Sequence, residues 1–424
     1  MVYQCLQGIE AELQGLSFPK LQLGNEGLKL VVFAEKCPKK RYNSGLLTVV
    51  VLPPLSPFAM NSFSRREFAK NSLTALSPLL ASSLLGPQMI EPAFGQTQAC
   101  IRMGQIGTKH GHAAGKLEAV KKLGELFELV GVVEEDQAQK DRIQGTGAFA
   151  NCPWMTVEQL LNQPGLQLVF VETDIDQSLN IAEKCLSAGM HVHLDKPAGA
   201  SLDHFRRVAK IAADKRRIIQ LGYMFRSNPA FQFLFEAVEQ GWLGEIFEIH
   251  GVMSKKLALS DRAELARYRG GAMFELGCHL IDAVVKLLGK PQSVISVNRS
   301  THPELDPLND NCLAVFQYPR ATATVRSSLV EVDGNRRRQF VVCGTRGTIA
   351  IEPLEPPQLT LTLDQPRGKF QKGTQIVELP KMTGRYDGDL FSLAAAIRGE
   401  NKYAYPLEHD LIVQECVLQA SEMS

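Results

Sequence analysis

Short apolar segments alternate with helical segments from Ile101 to Gly222, and this alternation constrains the fold more than any other feature. Strands separated by helices of about 10–15 residues are typical of βαβ units and a parallel sheet. We therefore predict an α/β fold with an N-terminal, doubly wound Rossmann domain over residues 96–222. The predicted strands are Ile101–Ile106, Phe127–Val133, Leu168–Val171, His191–Leu194 and Ile218–Gly222, and the predicted helices are Ala113–Leu123, Val157–Asn162, Ser178–Ala188 and Leu202–Ala213.

The pattern changes after Tyr223. One helix follows Pro229, and then alternating segments extend from residue 246 to residue 379, joined by short turns. A hydrophobic period of two residues predicts an antiparallel sheet with one buried face. Residues 223–424 are therefore predicted to form a C-terminal α+β domain with a large antiparallel sheet, ending in helices near Leu390–Arg398 and His409–Ala420. We expect its open face to be the surface of a homo-oligomer.

The first 95 residues follow a different pattern. Residues 60–95 contain Ser64-Arg-Arg-Glu-Phe-Ala-Lys70, then a modest apolar run and a small-residue site. This combination is typical of a twin-arginine export signal, although an amphipathic helix with a chance arginine pair is the alternative. We expect a periplasmic or otherwise exported protein that uses the twin-arginine machinery, with residues 1–59 a disordered extension before the true start. The apolar run is too short for a stable membrane anchor.

Charge and cysteine content exclude several kinds of partner. A net charge of +1, with 21% charged residues, provides no field for nucleic acid or an anionic membrane. The nine cysteines are scattered, so neither a disulfide scaffold nor a structural zinc site is expected. This balance fits a small-molecule ligand.

The first strand leads into a turn that partly fits a dinucleotide fingerprint. Gly107 occupies the position of the tight-turn glycine, but Lys109 and His112 stand where the two later small residues are expected. Glu134 ends the second strand, where an acidic residue hydrogen-bonds a ribose 2′-hydroxyl and repels a 2′-phosphate. This position favours NAD over NADP, although Glu134–Asp136 could also be a solvated loop.

A lysine follows the fourth strand of this domain in the sequence Asp195-Lys196-Pro197. In open α/β folds ligands bind at the carboxyl edge of the sheet, where this strand ends. Pro197 lacks an N–H and favours an extended Lys196, so we expect the ammonium to point into the crevice. A solvated lysine after a strand is the alternative.

The third motif spans Gly270–Asp282. If this segment is helical, Glu275, His279 and Asp282 share one face, and a carboxylate one turn from an imidazole can orient a general base. A metal site or simple stabilisation of the helix are the alternatives. Four further histidines lie near the predicted cofactor edge, where we expect no metal: His110, His112, His191 and His193.

Together these motifs resemble the Gfo/Idh/MocA family of oxidoreductases over about residues 98–420. The family's glycine-rich turn corresponds to Gly104–His112. Its Glu-Lys-Pro tripeptide corresponds to residues 195–197, and its helix motif that begins with Gly-Gly corresponds to residues 270–282. The resemblance implies that Lys196 contacts substrate and nicotinamide and that His279 is the acid/base. It also implies that Glu275 replaces the family's aspartate. Lys109 and Glu275 depart from the family pattern.

We therefore expect this protein to be exported and to transfer a hydride between its bound nicotinamide cofactor and a sugar- or polyol-like substrate. His279 would accept the hydroxyl proton and Lys196 would stabilise the developing alkoxide. The alternatives are an NAD-dependent glycosidase or lyase of the same family, or an exported ligand-binding protein without turnover. The cofactor assignments are Gly104, Gly107, Thr108, Lys109, His110, Glu134, Thr173 and Lys196, and the substrate assignments are Arg226, Arg267, Tyr268, Arg269 and Tyr386.

Overall fold

The structure is a computed structural model that describes residues 30–32, 49–51, 99–267 and 269–423. The twin-arginine segment and Tyr268 lie outside these described residues. The chain divides into two units, Met1–Gln96 and Thr97–Ser424. In the first unit, β1 (Leu30–Val32) pairs antiparallel with β2 (Val49–Val51), within a segment that we expected to be disordered. Both strands are aliphatic and mostly β-branched, which favours extended backbone.

The second unit begins with a six-stranded sheet. Its strands are β3 (Ile101–Ile106), β4 (Phe127–Val133), β5 (Trp154–Met155), β6 (Leu168–Val171), β7 (His191–Leu194) and β8 (Ile219–Leu221). All neighbours run parallel, in the order β5-β4-β3-β6-β7-β8. The intervening helices are α1 (Ala113–Lys122), α2 (Gln137–Ile143), α3 (Val157–Leu161), α4 (Ile175–Ser187) and α5 (Leu202–Asp214). The predicted doubly wound parallel sheet is confirmed.

Local sequence explains where these elements form. All four residues of β6 are buried, as expected for a parallel strand covered on both faces. Thr156 and Gln159 form both bonds of a capping box at the start of α3. The short strand β5 and the helix α2 were not predicted. Strand β5 has only two residues, and Gln139 is the one buried residue of α2, so neither has a readable hydrophobic period.

The second half of this unit forms an eight-stranded sheet. Its strands are β9 (Ile246–Ser254), β10 (Ser293–Arg299), β11 (Asn311–Gln317), β12 (Thr322–Ser328), β13 (Gln339–Gly344), β14 (Gly347–Leu354), β15 (Pro357–Leu363) and β16 (Gly373–Val377). Their order is β10-β11-β12-β9-β13-β14-β15-β16, and all pairs are antiparallel except β12 with β9. The large, mostly antiparallel C-terminal sheet is therefore confirmed.

Helices cover one face of this second sheet. They are α6 (Pro229–Glu239) and a π-helical turn, Met273–Gly277, that continues into a later helix, α8 (Cys278–Leu288). The short helix α7 (Leu259–Leu265), which precedes the π-helical turn in the sequence, is mostly exposed. Gly251 of β9 permits close packing of α8, since a Cβ there would lie 2.9 Å from Leu280 Cδ1. The opposite face exposes Ile295, Val297 and Ile376.

The last two helices are α9 (Asp387–Ile397) and α10 (Leu407–Ala420). Leu390 and Leu393 of α9 join the hydrophobic cluster of Met103 and Phe170 in the first sheet. The boundary predicted at residues 222/223 therefore does not separate two independent cores, because α9 returns to the N-terminal half. In the described part of the chain, no helix combines the length and apolar character that crossing a bilayer requires.

Candidate active site

Three strands of the first sheet end in acidic residues. Glu134 follows β4, Glu172 follows β6 and Asp195 follows β7. Because the strands are parallel, these residues share the carboxyl edge, where open α/β sheets bind ligands. Glu134 Oε2 accepts from the backbone N and Oγ1 of Thr108, at 3.1 and 2.5 Å, and so fixes the preceding turn.

A cleft of about 350 Å³ lies beside this edge. Gly107 has a φ of +93°, and a Cβ there would lie 2.5 Å from the Glu172 carbonyl oxygen, so the turn requires glycine. Gly104, which we assigned to the cofactor, lies instead within β3, with its Cα against the Leu160 side chain. Its role is therefore packing between sheet and helix. Four assigned residues line the cleft: Gly107, Lys109, Glu134 and Thr173.

Lys109 already has a partner in the protein. Its Nζ lies 2.8 Å from Asp136 Oδ2, and this hydrogen bond raises the pKa of Lys109. Lys109 also lines a neighbouring cavity of about 460 Å³ together with Arg142 and Arg267. Arg267, which we assigned to the substrate, therefore lies on the cofactor side of the site, where it also pairs with Glu264.

A buried ion cluster lies behind the cleft. Lys116 Nζ donates to Glu172 Oε1 at 2.8 Å and to Asp195 Oδ2 at 2.7 Å. Although burial disfavours its charge, Asp195 and Glu172 raise the pKa of Lys116. Burial raises the pKa of Glu172 to about 7, whereas Lys116 holds the pKa of Asp195 well below its usual range despite burial. Asp195 is thus the fixed negative charge of this cluster.

Two histidines converge on the same carboxylate. The Nδ1 atoms of His110 and His112 lie 2.8 and 3.0 Å from Asp195 Oδ2. The spacing could suit a metal ion. However, the Lys116 ammonium lies 2.7 Å from that same oxygen, and a cation would meet its charge. We interpret the group as a hydrogen-bonded cluster. Burial lowers the pKa of His112 to about 4, whereas Asp195 raises that of His110 against the effect of burial.

Lys196 connects the two halves of the unit. Its backbone N donates to Asp195 Oδ1 at 2.6 Å, which joins the lysine to the ion cluster. Its Nζ donates to the Glu275 carbonyl oxygen at 2.8 Å and lies 3.5 Å from the Glu275 carboxylate. Only 1% of Lys196 is exposed. Although burial opposes the charge, Glu275 above all raises the pKa of Lys196, so the side chain is an ammonium.

His279 is a buried, neutral imidazole. Its ring lies 5.9 Å from that of Tyr223 and 5.7 Å from that of Phe225, measured between centroids. Burial, and next the charge of Lys196, hold its pKa well below the usual range. Within the described part of the chain, His279 Nδ1 and the Tyr223 hydroxyl are buried without a hydrogen-bond partner. Two buried polar atoms beside Lys196 therefore lack a partner within the described part of the chain.

The predicted Glu275–His279 pair is not formed. The Glu275 carboxylate lies beside Lys196, and among the described residues no hydrogen bond joins it to His279. Glu275 lies in the π-helical turn, whereas His279 lies in the regular helix α8. The change from i→i+5 to i→i+4 bonding removes the regular stacking of positions four apart on which the prediction depended.

Arg226 does not face the crevice as predicted but pairs with Asp282. Arg226 is 4% exposed, and its Nη2 lies 2.6 Å from Asp282 Oδ1 and also contacts Asp410. His409 Nε2 lies 2.9 Å from the same Asp282 oxygen. A buried guanidinium requires compensating charge, which explains why these carboxylates surround it. Arg226 therefore has a structural position. Its guanidinium contacts Asp282 and Asp410 and so occupies the space in which these carboxylates and His409 could otherwise hold a metal ion.

Lys116 and Tyr223 were not predicted from the sequence to belong to the site. Lys116 lies in the apolar stripe of α1 with Ala113, Leu117 and Val120, and a lysine in such a stripe is a signal of a buried ion pair. Tyr223 has no comparable signal. Tyr386 lies at the crevice as suggested, with its ring centroid 6.1 Å from that of His112. Arg269 is exposed.

Comparison with known proteins gives consistent matches to one family. Residues 101–223 match an oxidoreductase family with an NAD-binding Rossmann fold, and residues 231–350 match the GFO/IDH/MocA C-terminal domain. The uncharacterized oxidoreductase YdgJ of Escherichia coli is 24% identical over 338 residues, which cover 75% of this chain and 94% of that protein.

Two solved structures share the fold. Levoglucosan dehydrogenase, in complex with NADH and levoglucosan, has a TM-score of 0.67 at 15% identity and covers 77% of this chain and 97% of its own. Aldose-aldose oxidoreductase from Caulobacter crescentus, complexed with glycerol, has a TM-score of 0.65 at 16% identity and covers 76% and 98%. These matches extend through both sheets.

Proposed function

Because the chain belongs to the Gfo/Idh/MocA family of oxidoreductases, we propose that it oxidises a CH–OH group of a sugar- or polyol-like substrate with a bound nicotinamide cofactor. One observation carries this proposal. The N-terminal domain contributes a buried ammonium, Lys196, which hydrogen-bonds the C-terminal segment four residues before a neutral imidazole, His279. An ammonium and a neutral base at one crevice are the groups that removal of a hydroxyl proton requires.

The residues of the cleft fit a dinucleotide. Gly107 forms the tight turn at the cleft, and Thr173 and Lys109 line the same space. Glu134 lies at the end of β4, where its carboxylate suits a ribose hydroxyl and opposes a 2′-phosphate. The position of Glu134 supports NAD over NADP as the cofactor. A bound nicotinamide would supply the hydride acceptor.

The chain's own groups divide the proton chemistry. His279 is neutral because burial holds its pKa low, so it can accept the proton of the substrate hydroxyl. Lys196 remains protonated beside Glu275 and stabilises the developing oxyanion. The unpartnered Tyr223 hydroxyl is available to orient the substrate. Asp195 holds the backbone of Lys196 in place.

The test begins with the purified full chain. Denaturation should release a nucleotide with the mass of NAD, and a panel of sugars and polyols is then followed by nicotinamide absorbance and product together. His279→Ala should lose about 10²–10⁴ in rate while retaining nucleotide, the usual contribution of a positioned base. His302→Ala, at an exposed histidine, is the matched control. Equal rates for wild type and His279→Ala would exclude this assignment, and glycosidic cleavage without net NADH would indicate redox-neutral chemistry.

Export is also a proposal. The segment Ser64–Lys70 has the arginine pair, the phenylalanine and the lysine of a twin-arginine signal. We propose that the protein reaches the periplasm or the outside of the cell by this route after it has folded. Replacing Arg65 and Arg66 with lysine should retain it in the cytoplasm, and unchanged export after cell fractionation would contradict the proposal.

We propose, finally, that the open face of the second sheet pairs with another copy of the chain. Ile295 and Val297 are exposed together on β10 at one edge of this face, and Ile376 is exposed on β16 at the other edge. Exposed apolar groups of this kind commonly mark an interface. Replacing Ile295 and Ile376 with glutamate should give a smaller species in light scattering coupled to gel filtration. An unchanged mass would contradict this arrangement.

A further inference from the structure

Positive charge accumulates at the crevice beyond the Lys196–Glu275 pair. Lys255 directly follows β9 and is partly buried. In the described part of the chain, its Nζ has no carboxylate partner within ion-pair distance, although the side chain lies close enough to Glu275, Lys196 and Arg338 for their charges to act on it. A partly buried lysine without its own counter-ion is costly unless a ligand supplies one.

Two arginines near Lys255 share one carboxylate. Arg338 Nη1 lies 3.4 Å from Glu355 Oε2, and Arg385 Nη1 lies 3.5 Å from Glu355 Oε1. Each arginine is also tied to a wall of the site. Arg338 Nε donates to the carbonyl oxygen of Ser254, the residue before Lys255, at 3.1 Å. Arg385 Nη2 contacts Met224, the residue after Tyr223, at 3.0 Å.

The balance of charge at this wall is unequal. Lys196, Lys255, Arg338 and Arg385 carry four positive charges, against the three carboxylates of Glu275, Glu355 and Asp261. Burial lowers the pKa of Lys255, as do Lys196 and Arg338, although Glu275 and Asp261 oppose this effect. Burial also lowers the pKa of Arg338, and Arg385 adds to that effect against Glu355. An anion bound here would offset the repulsion among these cations.

We propose that the substrate carries an anionic group, a carboxylate or a phosphate, and that Lys255, Arg338 and Arg385 bind it. This inference rests on the proposed function and narrows its substrate class to acidic sugars, such as hexuronates, or to sugar phosphates. Guanidinium groups suit both anions because their N–H donors match paired oxygens. The hydroxyl to be oxidised then lies toward Lys196 and His279, so the anionic group fixes the orientation of the substrate.

The decisive measurement compares substrates that differ by one anionic group, on the full chain loaded with nucleotide. Glucose with glucuronate, galactose with galacturonate, and glucose with glucose 6-phosphate are suitable pairs. The anionic partner in at least one pair should have a kcat/KM that is higher by about 10-fold or more, the contribution of a charge-assisted hydrogen bond. The preference should fall as salt is added. A preference for the uronates would identify the anionic group as a carboxylate, and a preference for glucose 6-phosphate would identify it as a phosphate.

A neighbouring lysine provides a matched control. Lys255→Gln should lower the ratio of kcat/KM for the anionic over the neutral substrate by about 10- to 100-fold. Lys255→Arg should restore most of the ratio, because it retains the charge. Lys256 is exposed and adjacent in sequence, so Lys256→Gln should leave the ratio unchanged. Arg338→Gln should also lower the ratio of kcat/KM for the anionic over the neutral substrate.

The outcomes separate this inference from the proposed function. Equal kcat/KM values within every pair, or equal ratios for Lys255→Gln and Lys256→Gln, would overturn the anion site while hydride transfer stands. Absence of turnover for all substrates would contradict the proposed function alone. In that case, calorimetric titration of the loaded protein with glucuronate, glucose 6-phosphate and glucose decides the anion site. Binding of an anion that Lys255→Gln weakens supports it, and equal affinity for neutral and anionic sugars excludes it.

Discussion

Lys196 Nζ donates a hydrogen bond to the backbone carbonyl oxygen of Glu275 at 2.8 Å and lies 3.5 Å from the carboxylate of the same residue. The lysine follows the strand β7, and the glutamate lies in the π-helical turn before α8. One residue therefore both positions the ammonium, through its main chain, and maintains its charge, through its side chain. Mutation can separate these two effects.

Glu275→Gln should retain the main-chain bond and remove the negative charge. Because Glu275 is the main influence that raises the pKa of Lys196, the variant should have a lower lysine pKa. The alkaline limb of the kcat/KM profile should then shift to lower pH, since the ammonium is lost earlier as pH rises. Glu264→Gln, at an exposed carboxylate, is the control. An unshifted limb would show that the protonation of Lys196 does not limit the rate.

Arg226→Met should be strongly destabilising. The substitution leaves Asp282 and Asp410 buried without their counter-ion, which typically costs about 3–5 kcal/mol. Urea unfolding measures this loss. Arg206→Met removes an exposed pair with Asp203 and should cost less than about 1 kcal/mol. A variant with normal stability and a raised KM would instead restore the substrate role suggested by the sequence.

The fold could be predicted because its two halves have different hydrophobic periods. The fully apolar β6 indicates a strand covered on both faces, whereas the alternation of β11 indicates a sheet with one buried face. The return of α9 to the first sheet could not be predicted. Its contacts with Met103 and Phe170 join residues almost 300 and more than 200 positions apart, and no local pattern encodes such a pairing.

The site was only partly predictable for a related reason. Lys196 and His279 belong to short motifs, so their position at the crevice could be inferred from neighbouring residues. The partner of Glu275 depended on a π-helical turn, which the sequence pattern did not reveal. Arg226 was assigned to the substrate because its carboxylate partners lie 56 and 184 positions away along the chain.

The cofactor preference depends on Glu134. We expect the wild-type protein to bind NAD more tightly than NADP. Glu134→Gln should lower the ratio of the NAD affinity to the NADP affinity by about tenfold, because the amide lacks the charge that repels a 2′-phosphate. The glutamine oxygen can still accept the bonds from Thr108, although its amide nitrogen cannot accept the bond that the Asp136 backbone N gives to the wild-type Oε1, so the turn before the cleft should be largely retained. Fluorescence titration with both nucleotides is the measurement, and Glu118→Gln, on the exposed side of α1, is the control. If the ratio of the two affinities were the same in the wild type and both variants, Glu134 would not be the residue that discriminates between NAD and NADP.

His193 should make stability depend on pH. It is 2% exposed, and its Nδ1 lies 2.8 Å from Gln220 Oε1. Burial lowers its pKa to about 3. The unfolded chain, with an ordinary histidine pKa near 6.5, therefore binds a proton as pH falls below about 6.5, whereas the folded protein does not. Stability present above this pH is lost as pH falls toward the folded value, by up to about 1.4 kcal/mol per pH unit.

Comparison of the wild type with His193→Asn isolates this effect. Asp389 and Glu172, whose burial raises their pKa values to about 6 and about 7, change stability in the opposite direction, but both are present in the two proteins and their effects largely cancel. Between pH 7.5 and pH 5, the free energy of unfolding of the wild type relative to the variant should fall by about 2 kcal/mol. Urea titrations at both values measure it, with His302→Asn at an exposed site as the control. Parallel pH curves for wild type and His193→Asn would mean that the imidazole has the same pKa folded and unfolded, and that its burial has no electrostatic cost.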